Sequence, residues 1–408
     1  MTAAKAALIG VRSGARYPIA SLDEFGSAGE SLEVRPLESQ LRQRREGDTI
    51  YERFRDFWFL KVDPQSCSLG EGHTPLIKAP PALKAYTGLD RLYLKNETAN
   101  PTWSFKDRGT VACCALAREL SEGCLATVST GNMGQSVAAY GARCGLRSVV
   151  IVPATAAPEK IAAAALYGAT VLRVNTDDLC ALKARVKALA HALGVRITSG
   201  ANPVRLEGYK FETFELWEQM EGIVPDFVAV PTSAGGHLRG LFKGWKELEE
   251  ATLIETLPRM IIVQPAVNAP LADALALDSE EPLPSAPVHT LASALTSNDP
   301  PGGRDILEIA RREDWCGATA TEDEIREGWH AAARAGLWIE PSSAIVFPAL
   351  RGLVRRKALS KDALVVAVLT GAGPKDPHLV TETVPPVDTI GPEQLDVALA
   401  EILSAGQG

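Results

Sequence analysis

Long apolar segments and paired cysteines are both absent from this sequence. No apolar run reaches the roughly 18 residues that a membrane-spanning helix needs, and residues 1–9 carry too short an apolar patch for a secretory signal. The seven cysteines are scattered, odd in number and form no Cys-x-x-Cys pair. We therefore expect a cytoplasmic protein with reduced, mostly buried thiols and no disulfide framework.

An excess of positive charge is absent as well. The 408-residue chain carries 42 Lys and Arg against 50 Asp and Glu, for a net charge of -8, which predicts no nucleic-acid-binding face. Its six histidines have no metal-ligand spacing, so we expect no metal site. The hydrophobic fraction of 46% and the charged fraction of 23% are those of an ordinary globular protein. This length suggests about two domains.

Short apolar segments alternate with helical patterns through most of the chain. In the first half, strand-like runs at 125–129, 148–152 and 170–174 are separated by segments with helical features. The second half repeats the alternation around 226–231 and 363–369. This pattern predicts an α/β fold with two doubly wound domains built on parallel sheets.

The domain boundaries follow from this alternation. Residues 105–205 are expected to form a small α/β domain, and residues 46–104 together with 206–395 a larger one. A polar, irregular N-terminal extension (1–45) and a C-terminal tail (396–408) complete the chain.

One lysine, Lys106, stands between an extended Asn-Pro segment at 100–101 and a helix expected to begin at about 104–107. Polar residues there are able to cap the helix. The positive end of the helix dipole disfavours the protonated amine and favours a neutral one that can condense with an aldehyde. For this motif alone, a solvated surface lysine is the alternative.

The loop at residues 233–237, Ser-Ala-Gly-Gly-His, joins a strand to a helix. Small residues at a helix start present backbone N–H groups that suit a phosphate. The loop matches neither Gly-x-Gly-x-x-Gly nor a Walker A sequence, which argues against dinucleotide and nucleoside-triphosphate binding. A plain tight turn is the alternative.

Three further residues occupy positions where ligands of open α/β sheets bind. Asn132, in a glycine-bracketed turn, and Thr370, at a strand end, can hydrogen-bond a ligand ring or serve only as turn residues. Arg205, next to a helix start, suits a bidentate grip on a phosphate or carboxylate. A surface ion pair with Glu207 is the alternative for the arginine.

These motifs share one order with a known family. The matching segments are Gly72–Leu76, Asn100–Gly109, Ser129–Gly134, Asn202–Gly208, Ser233–His237, Glu340–Ala344 and Leu369–Asp376. Over about residues 70–380 the chain resembles the fold-type II pyridoxal-phosphate (PLP) enzymes of the tryptophan synthase β-chain superfamily. Among these it most resembles the threonine synthases. The resemblance implies that the cofactor, pyridoxal 5'-phosphate, lies in the cleft between two doubly wound domains.

The resemblance also implies roles for residues on the cofactor side. Lys106 would hold the cofactor as a Schiff base and move protons, and Phe105 would frame the cofactor ring. Asn132 would face the 3'-oxygen, and Thr370 would face the pyridine nitrogen. The cofactor phosphate would lie against Ser233, Ala234, Gly235, Gly236 and His237.

On the substrate side the resemblance assigns a carboxylate-binding turn and a phosphate-binding arginine. The turn consists of Ser129, Thr130 and Gly131, and the arginine is Arg205. Trp103 also lies on this side.

The sequence departs from the family pattern at several points. Trp103 stands where glycine is usual, His237 replaces an asparagine, and the segment 199–201 lacks the usual polar residues. Ser13 and Ala28 stand where cysteines of the family's N-terminal segment are expected, so no metal should bind there. The cofactor-side motifs are intact, and the substrate-side ones differ.

The activity implied is that of a PLP-dependent threonine synthase, a carbon-oxygen lyase that converts O-phospho-L-homoserine and water to L-threonine and phosphate. A homodimer is expected from the same resemblance. One alternative is a PLP-dependent β- or γ-replacement enzyme acting on another amino acid, such as cysteate synthase, which uses O-phosphoserine and sulfite. The other alternative is a non-catalytic cofactor-binding paralogue, although such a protein would not need Lys106.

Overall fold

The computed structural model describes residues 5–38, 41–129, 131–154, 158–176, 179–286, 289–377, 379–380 and 389–405. Two compact units are present, residues 1–375 and residues 376–408. The second unit contains one long helix, α14 (Leu395–Ala405). All candidate functional residues belong to the first unit.

The first unit contains twelve strands within the described residues. They are β1 (Ala6–Gly10), β2 (Arg16–Pro18), β3 (Leu32–Pro36), β4 (Leu76–Lys78), β5 (Arg91–Asn96), β6 (Cys124–Val128), β7 (Arg147–Pro153), β8 (Thr170–Val174), β9 (Phe227–Pro231), β10 (Arg259–Pro265), β11 (Cys316–Ala320) and β12 (Leu364–Leu369).

Its α-helices lie between these strands along the chain, singly or in succession. They are α1 (Ile50–Arg53), α2 (Pro81–Thr87), α3 (Lys106–Glu119), α4 (Asn132–Cys144), α5 (Pro158–Leu166), α6 (Leu179–Leu193), α7 (Pro203–Gln219), α8 (Gly236–Glu250), α9 (Pro270–Ala276), α10 (Gly303–Arg312), α11 (Glu322–Arg334), α12 (Pro341–Ala344) and α13 (Val346–Arg355).

Nine of the described strands form two sheets that are mainly parallel. The larger has the order β11-β10-β9-β12-β5-β4, parallel throughout except for the antiparallel edge strand β4. The smaller has the parallel order β6-β7-β8, and Ile197 forms a bridge beside it with Ala126. The predicted α/β class is confirmed. The domain boundaries at 105 and 205 stay a prediction.

The N-terminal extension is not irregular, and that prediction was wrong. Its strands form a three-stranded antiparallel sheet in the order β2-β1-β3. Leu8, Leu32 and Val34 of this sheet are buried in the main hydrophobic core. Strands of three to five residues are too short to show a period in the sequence, and pairing between distant segments decides their structure.

The core of the unit contains helix α7, which is buried from Pro203 to Leu216. Its Lys210 pairs within the helix and with α8: Lys210 Nζ lies 2.7 Å from Glu207 and 3.0 Å from Glu247 of α8. Burial makes an isolated charge costly, which explains this network. The buried helix also supports Arg205, which lies in its first turn.

The remaining sequence expectations concern thiols, caps and membrane helices. Six cysteines are unpaired thiols, and three of them are buried. The side chain of Cys180 and the expected caps at 177–178 lie outside the described residues. Across the described part of the chain, the structure has no helix of the length and apolarity needed to cross a membrane.

Candidate active site

Lys106 is the first residue of α3, and the turn before it is bonded to the end of β12. The N–H of Phe105 donates to the carbonyl of Thr370 at 3.1 Å, and Ser104 forms a β-bridge with Gly371. Two predicted site residues, Lys106 and Thr370, are therefore held close together although they lie far apart in the sequence.

The capping of α3 differs from the sequence prediction. The helix begins within the predicted window of 104–107, but its N-cap is Phe105 and no side chain caps it. The prediction of a polar cap was wrong. Asp107 instead accepts hydrogen bonds from Thr102, at 2.6 Å from the backbone N–H and 2.5 Å from the hydroxyl. Burial raises the pKa of Asp107 to about 6, although these hydrogen bonds oppose the rise.

The pKa of Lys106 is lowered from 10.5 to about 7. Loss of hydration is the main cause, the positive charges of Arg205 and Lys375 lower the pKa further, and the carboxylate of Glu340 opposes them. At neutral pH a large share of the amine is therefore unprotonated and able to act as a nucleophile. Desolvation and neighbouring charges thus favour the neutral amine that the sequence predicts here.

The small-residue loop at 233–237 lies between β9 and α8. Gly235, the N-cap of α8, has a φ of +80°, and a Cβ added there would lie 2.1 Å from Ile306. A Cβ on Gly236 would lie 1.9 Å from the carbonyl oxygen of Gly200. Both positions therefore require glycine. The first N–H groups of a helix have no partner within it, so this loop is suited to a phosphate.

Gly200 links this loop to the turn at Asn132. A Cβ added to Gly200 would lie 3.5 Å from Met133 Cε and 4.0 Å from Ala234 Cβ. Segments that follow β6 and β9 therefore converge at the carboxyl ends of their strands, where ligands of α/β sheets bind.

Asn132 is the first residue of α4, and its side chain is bonded to Glu340. The amide Nδ2 donates to the two carboxylate oxygens at 2.9 and 3.2 Å. A Cβ on Gly371 would lie 2.2 Å from Glu340 Oε2 and 3.1 Å from Asn132 Nδ2. Glycine at 371 thus makes room for this contact, and the Asn132 amide retains further hydrogen-bonding capacity for a ligand.

The predicted carboxylate-binding turn precedes α4. The hydroxyl of Ser129 accepts hydrogen bonds from the N–H groups of Gly131 at 3.3 Å and Gly134 at 3.2 Å. Ser129 thus closes the turn at the helix start. Thr130 lies outside the described residues.

Thr370 is buried and its hydroxyl is paired. Its Oγ1 lies 2.9 Å from the Oγ of Ser343, which also accepts from the N–H of Gly371 at 2.8 Å. The Ser343 hydroxyl donates to one acceptor at a time, so the Thr370 hydroxyl can be oriented as donor or acceptor.

His237 connects the small-residue loop to the lysine turn. Its ring stacks on Phe105, with centroids 3.8 Å apart and planes 11° apart, and Lys106 Nζ lies 4.0 Å from the Phe105 centroid. His237 Nε2 lies 2.7 Å from Glu212 Oε2. Burial raises the pKa of Glu212, and His237 opposes that rise.

Arg205 is fully buried beneath the lysine. Its Nη1 donates to Thr110 Oγ1 at 3.1 Å, and Thr110 in turn donates to the carbonyl of Lys106 at 2.9 Å. Arg205 Nε and Nη2 have no hydrogen-bond partner among the described residues. Glu207, the alternative partner, pairs with Lys210 instead.

Trp103 lies at the surface of the site with a strained backbone. Its φ is +63° and its side chain is 48% exposed, while its carbonyl accepts from the N–H of Ala372 at 3.1 Å. A positive φ is unusual for a bulky residue and natural for glycine. The tryptophan thus retains a backbone conformation that suits the glycine usual at this position.

Three residues near the lysine have no role in the sequence analysis: Glu340, Ser343 and Glu212. Glu340 and Ser343 lie in a segment that supports the family resemblance. The sequence around them does not predict that Glu340 bonds to Asn132 or that Ser343 bonds to Thr370. Glu212 lies within α7 and carries no signal in the sequence. Their contacts arise from elements that meet only in the folded chain.

Comparisons with known proteins identify relatives of this chain. A family model described as pyridoxal-phosphate dependent enzyme matches residues 67–371. The chain is 34% identical to the threonine synthase of Methanocaldococcus jannaschii over 352 residues, 85% of each chain. It is 33% identical to that of Mycobacterium leprae over 345 residues, 84% of this chain and 92% of the relative.

Solved structures share the fold. Threonine deaminase isoform 2 of Solanum lycopersicum superposes with a TM-score of 0.65 at 20% identity, covering 86% of this chain and 98% of that chain. Maize serine racemase gives a TM-score of 0.60 at 18% identity, covering 83% and 94%. The predicted fold, family and cofactor are confirmed by these findings together. The chain belongs to the pyridoxal-phosphate dependent enzymes of fold type II and, within them, to the threonine synthases.

Proposed function

We propose that this chain acts as a threonine synthase that converts O-phospho-L-homoserine and water to L-threonine and phosphate. The observation that carries the proposal is the combination of two groups in one site. Lys106 has a pKa of about 7, and the buried guanidinium of Arg205 has Nε and Nη2 without hydrogen-bond partners among the described residues. The unprotonated amine of Lys106 can act as a nucleophile or a base, and the guanidinium of Arg205 can bind an anionic group of the substrate.

The described residues fit PLP. Lys106 would bind its aldehyde carbon, and the loop at 233–237 would receive its phosphate, because Gly235 and Gly236 leave no space for side chains. Asn132 and Thr370 would hydrogen-bond the ring oxygen and ring nitrogen. When bound, PLP supplies an electron sink that stabilises negative charge on the substrate carbons.

Lys106 is the proton carrier in this proposal. An amine with a pKa of about 7 is close to the optimum for both accepting and donating protons at neutral pH. With its amine free, Lys106 Nζ would accept the proton from the Cα of the substrate. The neighbouring Glu340 carboxylate raises the pKa of the amine and thereby limits the lowering due to burial and to Arg205.

Arg205 is the proposed ligand of the substrate phosphate. Charge-assisted hydrogen bonds from a guanidinium to phosphate are short and directional, and α7 holds this guanidinium rigidly because the helix is buried. Thr110, bonded to both Arg205 and the Lys106 carbonyl, would keep the phosphate site and the amine at a constant separation. The turn at Ser129 and Gly131 would receive the substrate carboxylate.

The remaining features of the proposal rest on the composition of the sequence and on its resemblance to the family. We propose an amino-acid substrate, a cytoplasmic location and a homodimer. Light scattering coupled to gel filtration tests the dimer, because a monomeric mass for the active protein contradicts it.

The deciding experiment is phosphate release from O-phosphohomoserine by the purified protein loaded with PLP, with the amino acid product identified. Threonine as product supports the proposal. Phosphate release that occurs only with O-phosphoserine and sulfite would support the replacement enzyme, for which the half-exposed Trp103 at a glycine position is the favouring observation. A protein that acquires the visible absorbance of the cofactor but releases no phosphate from either substrate would support the non-catalytic paralogue.

The variants Lys106→Ala and Arg205→Ala test the roles of the amine and of the guanidinium separately. Lys106→Ala should abolish covalent cofactor attachment and turnover and leave the fold intact. Arg205→Ala should raise KM for the phosphorylated substrate far more than it weakens cofactor binding. Equal losses of both would show that Arg205 has a structural role only.

A further inference from the structure

A carboxylate from the N-terminal extension reaches the substrate side of the active site. Glu24 is 8% exposed, and its Oε1 accepts a hydrogen bond from the backbone N–H of Ser199 and another from Asn202 Nδ2, both at 3.0 Å. Residues 199–202, here called the 199–202 turn, include the segment in which the sequence departs from the family pattern. One carboxylate oxygen therefore closes both ends of this turn.

A second contact holds the extension against the same part of the chain. The buried Arg196 donates from Nη1 to the carbonyl of Ser21 at 2.7 Å and from Nη2 to the carbonyl of Ala20 at 3.1 Å. Its guanidinium also pairs with Glu122 at 2.9 Å. Segment 20–24 is thus hydrogen-bonded to Arg196, which precedes the 199–202 turn, and to the turn itself.

The 199–202 turn contacts both of the anion-binding elements. Asn202 is the N-cap of α7, accepting at 3.0 Å from the N–H of Val204, and its carbonyl accepts from the N–H of Arg205 at 3.1 Å. The carbonyl of Gly200 packs against Gly236 so closely that no Cβ fits between them. A displacement of the turn would therefore shift the start of α7 and one wall of the small-residue loop together.

We propose that Glu24 is a positioning residue that fixes the 199–202 turn and, through it, the guanidinium of Arg205. In this arrangement the N-terminal extension completes the phosphate side of the active site by acting through the 199–202 turn. The proposal rests on the proposed function in so far as Arg205 binds the substrate phosphate. Small displacements of a binding group reduce substrate affinity strongly, which makes such a carboxylate functionally important.

Kinetics of the full-length, PLP-loaded protein test this role with three variants. Glu24→Ala removes the acceptor oxygen, whereas Glu24→Gln keeps an acceptor oxygen of the same reach. Arg12→Ala breaks the 2.6 Å ion pair between the extension and Asp305, a contact that involves neither Glu24 nor the 199–202 turn, and controls for general loosening of the extension.

Glu24→Ala is expected to raise KM for O-phosphohomoserine about tenfold, since two hydrogen bonds to a charged acceptor are lost. Its kcat and its cofactor absorbance should stay within about twofold of wild type. Glu24→Gln and Arg12→Ala should both retain a KM within about twofold of wild type. If Glu24→Ala leaves KM unchanged, or if Arg12→Ala raises it equally, the proposal is wrong.

Two measurements keep the test independent of the substrate. Amide hydrogen exchange at residues 199–205 should be faster in Glu24→Ala and unchanged in Arg12→Ala, and unchanged exchange in Glu24→Ala would overturn the proposal whatever the substrate is. If wild type does not turn over O-phosphohomoserine, the proposed function has failed, and calorimetric titration of the loaded protein with inorganic phosphate replaces KM. Should Glu24→Ala fail to fold, Glu24→Asp, which is one methylene shorter, must show the same loss in weaker form.

Discussion

The partly desolvated amine of Lys106 should make the cofactor-free protein less stable than a variant without it. A pKa lowered from 10.5 to about 7 corresponds to about 5 kcal/mol at 1.36 kcal/mol per pH unit. The side chain is partly exposed, so solvent screening reduces this cost, and we expect about half of it, roughly 2–3 kcal/mol. Lys106→Met keeps a side chain of similar length and removes the charge.

The pH dependence of this difference has a definite sign. Below pH 7 the lysine is protonated in both the folded and the unfolded state, and the folded state carries the whole cost of desolvation. Between the folded pKa of about 7 and the unfolded value of 10.5, only the unfolded lysine remains protonated, so the cost falls as pH rises. The free energy of unfolding of Lys106→Met should therefore exceed that of wild type most at pH 6 and converge with it toward pH 10.

Urea denaturation of both proteins after removal of the cofactor measures this difference. Other titrating groups are common to the two proteins and cancel in the comparison. Lys361→Met is the matched control, because Lys361 is 68% exposed and its removal should produce no such pH-dependent difference. A Lys106→Met variant that is less stable than wild type at pH 6, or a difference that does not change with pH, would refute the assignment of the lowered pKa to desolvation.

Three further substitutions test the surroundings of the site. Trp103→Gly relieves the strain of a φ of +63° at a half-exposed side chain. Urea denaturation should therefore show a free energy of unfolding that is unchanged or raised by up to about 1 kcal/mol. A lower free energy of unfolding than in wild type would show that the indole contributes to packing. Gly371→Ala places a Cβ 2.2 Å from Glu340 Oε2, so titration with PLP followed by visible absorbance should show weaker binding than in wild type, and equal binding would contradict the contact. Arg108→Met leaves Glu97, bonded to it at 2.7 Å, as a buried unpaired carboxylate and should cost about 3–5 kcal/mol at pH 7. Because that carboxyl has its pKa lowered to about 2, the stability it contributes is present above pH 4.5 and lost as pH falls toward 2, so the loss in the variant should shrink over that range.

The site combines groups that local sequence identifies with groups that it does not. Lys106, the loop at 233–237 and Asn132 each lie at the junction of a strand or extended segment and a helix, where residue type and backbone conformation are linked. Glycine at 235 and 236 follows from a positive φ and from a close backbone approach. Such backbone requirements involve only a few neighbouring residues, so they can be predicted from the local sequence.

Other sequence expectations needed correction because distant segments decide them. A polar N-cap was expected for α3, but Asp107 turns toward Thr102, and the turn is held instead by hydrogen bonds to Thr370 and Gly371. The N-terminal extension looked irregular because its strands are stabilised by pairing with each other and by burial of Leu8 against the main core.

The sequence by itself determined the fold class and the family, and it singled out Lys106 as the proposed cofactor-binding lysine. These depend on the order of short motifs and on the alternation of strands and helices. The tertiary structure decided which charges surround that lysine and which carboxylates support its neighbours. Glu340 meets Asn132, Glu212 meets His237, and Glu24 closes the 199–202 turn. These contacts join residues separated by long stretches of chain, and burial makes them strong. The local sequence does not predict these hydrogen-bond partners, because only the packing of distant segments brings them within hydrogen-bonding distance.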